Sequence, residues 1–246
     1  MRNKIERNIL MKKLFALLLV LSLLLVGCGG SEPISSKIVS VEITSSDTTA
    51  ATEPAPTEKP LSFGQIEGGT YINTYAGIGC QLNENWSFYS AEELQELPEM
   101  VNGLIEGSDA AEIVDQYPQI FDLQAENVND LLAVNVVYTK IGMQERLTYA
   151  VLSEEETIDA TLENKDMMIQ SYTQAGMEVE SIEKVKLTFL GEEHWGIRTV
   201  AYTQGIPIYM LQVMNFKLGA YGMNLTATSY LEDNVQSVLD LFYVVE

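Results

Sequence analysis

Between residues 184 and 229 four stretches of strand character follow one another almost without interruption. Val185, Leu187 and Phe189 alternate with Lys184, Lys186 and Thr188, and after Gly191 the chain returns over residues 194–202. Residues 207–216 and 220–229 follow, joined by a short loop that holds Gly219. Connections of so few residues cannot carry a crossover, so these strands must lie antiparallel. In the last stretch Tyr221, Met223, Leu225 and Ala227 share one face while Asn224, Thr226 and Thr228 share the other. That alternation predicts one packed face and one more polar face.

Upstream, residues 70–75 and 78–82 read as a pair of short strands, and the valine-rich run 131–138 as a buried central strand. Residues 143–151 are expected to form another strand. Ser90 stands three residues before Glu93, a capping box that opens a helix over 91–97. The longest helix is expected over 154–175, with Ile158, Leu162, Ile169 and Tyr172 on one face, a gap at Lys165 and Gly176 as its stop. Val235, Val238, Leu239 and Phe242 give a closing helix over 233–242 the same kind of stripe. The pattern over 98–130 does not fix an order of elements. The expected class is therefore α+β: an antiparallel β-sheet of about six strands with helices packed on it.

The first thirty residues belong to a different kind of segment. Lys12 and Lys13 precede an apolar run over 14–26 that only Ser22 interrupts, and Gly27, Cys28, Gly29 and Gly30 follow. A basic start, a short apolar middle and small residues at the end form a secretory signal. The run is shorter than the roughly 20 residues a spanning helix needs. Met11 would serve as its own start. Leu25-Val26-Gly27-Cys28 resembles the lipobox of bacterial lipoproteins. The resemblance implies a diacylglyceryl group on the Cys28 thiol, cleavage before it, and anchorage on the outer face of a cell membrane. Residues 1–27 are then the signal. Residues 28–63, rich in Ser, Thr and Pro around Thr48 to Thr57, are a tether that buries too little to fold. Residues 64–246 form a single domain.

Tyr71-Ile-Asn-Thr-Tyr-Ala-Gly-Ile-Gly-Cys-Gln-Leu-Asn-Glu-Asn-Trp-Ser-Phe-Tyr-Ser-Ala-Glu-Glu-Leu94 resembles the opening of Mog1/PsbP-like lipoproteins of Gram-positive bacteria: a hairpin, a turn before tryptophan, and a helix opened by Ser-x-Glu-Glu. Trp86, Ser90, Glu92, Glu93 and Leu94 match; Asn83 and Asn85 stand where the family has proline and glycine. The resemblance implies an α/β/α sandwich and carries over no ligand set.

The chain holds 14 Lys+Arg against 35 Asp+Glu, a net charge of −21. Five of those basic residues and one acidic residue lie in the signal, so the processed chain would stand near −25. Such a charge repels phosphate backbones, which excludes nucleic acid as a partner. His194 is the only histidine, so metal sites that need two are excluded, and a turn position predicts that it is exposed. With Cys28 acylated, Cys80 has no disulfide partner and is expected to be a buried small hydrophobe; a Cys80–His194 thiol pair is the alternative if the fold joins them. Glu154, Glu155 and Glu156 open a helix, where negative charge suits the dipole. No local spacing marks a pair of catalytic carboxylates, and neither a calcium loop nor a phosphate loop is present. Tyr71, Tyr75, Trp86 and Tyr89 could form a sugar-stacking platform, but packing of the hairpin is the preferred reading.

These observations point to a non-catalytic extracytoplasmic binding or accessory module. It would be monomeric and membrane-held through lipid, with a protein or small ligand at the cell surface, and would use no cofactor and no metal. A carboxylate-based cell-wall or glycan hydrolase is the alternative. A closing solute receptor is disfavoured because one domain has no second lobe.

Overall fold

The computed structural model describes residues 60–105 and 117–246. The signal, Cys28 and the tether up to residue 59 lie outside the described residues. Among those described, eleven strands form two antiparallel sheets. The smaller has the order β1 (Gln65–Glu67), β2 (Thr70–Asn73), β3 (Ile78–Gln81) and β11 (Phe242–Val244). The larger has the order β4 (Ser87–Phe88), β5 (Gln119–Asn127), β6 (Leu132–Lys140), β10 (Tyr221–Tyr230), β9 (Ile206–Leu218), β8 (Glu192–Thr203) and β7 (Glu178–Phe189). Five helices accompany them: α1 (Ala91–Ile105), α2 (Met143–Val151), α3 (Glu154–Leu162), α4 (Lys165–Gln174) and α5 (Gln236–Leu239).

The expected meander is present, and its turns show why. Leu190-Gly191 and Gln204-Gly205 each place two successive residues at positive φ. That is the twist a two-residue hairpin turn requires, and glycine adopts it without strain. Two apolar cores flank the large sheet. On one side Phe121, Val137, Ile197, Met210 and Met214 pack with Leu97 and Val101 of α1, Ile158 of α3 and Met168 and Tyr172 of α4. On the other, Leu123, Val136, Tyr138, Val213 and Leu225 pack with Tyr71, Ile78, Cys80 and Phe242 of the small sheet and with α5. The layers are thus helices, large sheet, and small sheet with one short helix.

Several expectations are corrected. Eleven strands replace about six, because strands such as β1, β4 and β11 have only two or three residues and leave no periodic signature. Residues 143–151 are a helix: the Glu145 carboxylate accepts from the Gly142 N–H at 2.6 Å, capping a first turn where Gln144, Glu145 and Arg146 favour helix. The long helix breaks into α3 and α4 at Asn164, which has non-helical ψ. The gap at Lys165 marks this break, and Ile158 on one side of it and Tyr172 on the other are both buried. The closing helix shrinks to α5, because Phe242 reaches the core from an extended backbone paired with Cys80. Helix α1 runs on to Ile105, beyond residue 97, with Pro98 inside it. Finally, the polar face of β10 is not solvated: Asn224, Thr226 and Thr228 are as buried as the apolar residues between them. Both faces of this central strand are covered.

Candidate ligand cavity

Strand β5 carries a bulge where its register against β6 shifts between Phe121 and Leu123. The residue at the bulge is Asp122. A bulge turns a side chain that regular alternation would send elsewhere, and this one sends a carboxylate into the interface with the small sheet. Asp122 is 4% exposed. Its Oδ1 accepts from the Gly64 N–H at 2.7 Å, and its Oδ2 accepts from the Tyr71 hydroxyl at 2.5 Å and the Asn73 Nδ2 at 2.6 Å. The same amide donates to the Tyr138 hydroxyl at 3.0 Å. Burial raises the Asp122 pKa, and the three donors oppose that rise. Burial, reinforced by the neighbouring carboxylate, also pushes the Tyr71 and Tyr138 phenols up, so both remain protonated donors or acceptors at neutral pH. Gly64 can come this close only because it lacks a side chain: a Cβ there would lie 2.1 Å from Cε2 of Tyr71.

Strand β4 pairs with β5 only at Glu126 and Ala125, so β5 continues upstream past its neighbour. Beside Gln119 to Asp122 opens a cavity of about 750 Å³. Its walls come from Phe63 and Ile66 at β1, Phe88 and Tyr89 at β4, Leu94 and Pro98 of α1, and Ile120 and Phe121 of β5. Among the described residues this lining includes the acidic Asp122 and Glu93 and no Lys, Arg or His. Both are already engaged. Glu93 accepts the Ser90 N–H at 2.7 Å, while the Glu93 N–H donates to the Ser90 hydroxyl at 3.2 Å, so the expected capping box forms. The Tyr89 hydroxyl donates to Glu126 at 2.5 Å. Burial, then that carboxylate, raises its pKa.

The residues singled out from sequence fall elsewhere. Tyr71, Tyr75 and Trp86 are buried, in agreement with hairpin packing; only Tyr89 of the four reaches the cavity. His194 is not an exposed turn residue. It lies half-buried on β8, and its Nδ1 is 2.8 Å from Glu154 Oε1, while Glu154 Oε2 accepts the Trp195 N–H at 3.0 Å. Strand β8 pairs with β9 only from Ile197 onward. Its first residues therefore diverge from β9, and a second cleft of about 270 Å³ opens there between His194, Glu154 and Val213 to Lys217. Of the three glutamates expected to favour the helix start, Glu156 makes the capping box with Ser153. Glu154 instead closes the free edge of β8, and Glu155 pairs with Lys184 at 3.0 Å. The Cys80 thiol is fully buried, and burial pushes its pKa up to about 12, so it is neutral and inert rather than a partner of His194. Among the described residues no group of three or more His, Cys, Asp or Glu side chains is placed to hold a metal ion.

Asp122 did not stand out in the sequence, yet Ile120-Phe121-Asp122-Leu123 carries the signal: a lone carboxylate inside an apolar run. No protein-family profile and no curated protein matches the chain.

Proposed function

We propose that this protein is a lipid-anchored extracytoplasmic module that binds a small ligand in the β1–β5–α1 cavity and does not transform it. The observation that carries this reading is the cavity itself. Its volume of about 750 Å³ suits a small molecule, and its walls are mainly apolar. Both its carboxylates are held by donors that an acid or base would have to release. The signal and the lipobox at Cys28 support a place on the outer face of the membrane, reached through the 28–63 tether. The order of hairpin, Trp86 turn and Ser90-capped helix, followed by an antiparallel meander under helices, supports the Mog1/PsbP-like reading. The net charge of −21 supports a partner other than nucleic acid.

Two experiments test the proposal. Fatty-acid labelling of cells should mark the wild-type chain and not Cys28→Ala; equal labelling removes the anchor. An environment-sensitive apolar dye should bind the protein, and Ile120→Trp, which fills the cavity, should weaken that binding at least tenfold. Turnover of a wall polymer that is lost in both Asp122→Asn and Glu93→Gln would replace the module by the hydrolase.

A further inference from the structure

Taking the cavity as a ligand site, we infer that its ligand is a small organic cation: an ammonium or guanidinium head joined to an apolar body. Asp122 is the buried acidic group of the lining, at 4% exposure. Its three hydrogen-bond donors are a backbone N–H, an amide and a hydroxyl, all of them neutral dipoles. They occupy lone pairs but carry no charge to set against that of the carboxylate when it is ionised. Among the described residues no Lys, Arg or His lines the cavity, and Glu93 is a second acidic residue in its lining. An anion would meet repulsion in a medium of low dielectric, a neutral molecule would gain only burial, and a cation would gain both burial and attraction. The aromatic rings supply a second reason. Phe63, Phe88 and Tyr89 line the same space, and aromatic rings attract ammonium and guanidinium groups. Leu94, Pro98 and Ile120 then receive the apolar remainder. A bare divalent ion fits poorly, because calcium takes six or more oxygen ligands and the Asp122 oxygens already accept three hydrogen bonds.

The test uses three probes that share one chain and differ only in the head: hexylammonium, 1-hexanol and hexanoate. Each is titrated calorimetrically into the full lipidated protein in phosphatidylcholine nanodiscs, with empty nanodiscs as the blank. Hexylammonium should bind at least tenfold more tightly than hexanol, and hexanoate more weakly than either. Asp122→Asn should bring the ammonium-to-alcohol ratio close to one. If that variant does not fold, Phe88→Leu, which keeps the carboxylate and removes a ring, should lower the ratio severalfold. Hexanol binding as tightly as hexylammonium, or a ratio unchanged in the variant that folds, would overturn the assignment of charge and leave the cavity a ligand site. Binding of none of the three would remove the ligand site itself.

Discussion

The two faces of the seven-stranded sheet both bury polar side chains, and they treat them differently. On the small-sheet face, Asp122, Tyr71, Asn73, Tyr138 and Gly64 form a closed set around the carboxylate, in which the Gly64 N–H, the Tyr71 hydroxyl and the Asn73 amide each meet an acceptor. On the helix face, a row of polar residues crosses the sheet through the registers Gln124–Asn135, Asn135–Thr226 and Thr226–Gln212. There Gln124 Oε1, Asn135 Oδ1, Thr139 Oγ1, Thr199 Oγ1 and Gln212 Oε1 have no hydrogen-bond partner among the described residues. A buried polar atom without a partner costs about 1–3 kcal/mol. The same chemical groups therefore fix geometry on one face and weaken packing on the other. What decides the outcome is the partner rather than the polarity.

The largest expected effect comes from breaking the closed set. Asp122→Ala leaves three donors facing nothing and should lower the unfolding free energy by roughly 3 kcal/mol, read from denaturant melts. A loss below 1 kcal/mol would mean that the network contributes little. Gly64→Ala should follow, at about 1–3 kcal/mol, because its new methyl drives into the Tyr71 ring. The helix face predicts the opposite sign. Thr199→Val keeps the shape, removes a hydroxyl that has no partner, and should stabilise the protein by about 1 kcal/mol. Destabilisation would show that this hydroxyl has a partner and that the contrast is false.

The smallest effect depends on pH. Because the folded pKa of Asp122 is raised above 3.8, the folded state holds this proton more tightly than the unfolded chain does. Its contribution to stability is complete below 3.8 and is lost as pH rises through the raised folded value. The melting temperature should therefore gain more on acidification from pH 7 to pH 4.5 in wild type than in Asp122→Asn. Equal gains would show that Asp122 does not titrate in that interval.

What was legible in the sequence was local. The β7–β10 meander announced itself through alternation and glycine turns, and the burial of Tyr71, Tyr75 and Cys80 followed from their apolar setting. The second sheet did not, because β11 finds its partner β3 at the other end of the domain and three residues leave no period. Residues 143–151 misled because Leu147, Tyr149 and Val151 also fit an alternating strand; the cap at Gly142 decides for helix. The cavity was hidden for a related reason. It depends on a one-residue register shift and on β4 ending early, and neither changes the residue types along the chain.

The pairing of Phe242 with Cys80 also sets an order of events during folding. The hairpins of the meander close over two residues and can zip at once, whereas β11 must find a strand about 160 positions earlier in the chain. Loop closure on that scale is slow compared with hairpin formation. A chain made from its amino end would hold an unfinished small sheet, with Cys80 open to modification, until its last few residues arrive. The thiol that is inert in the finished protein is thus a natural clock for its completion: the time at which it stops reacting with an alkylating reagent marks the docking of the final strand.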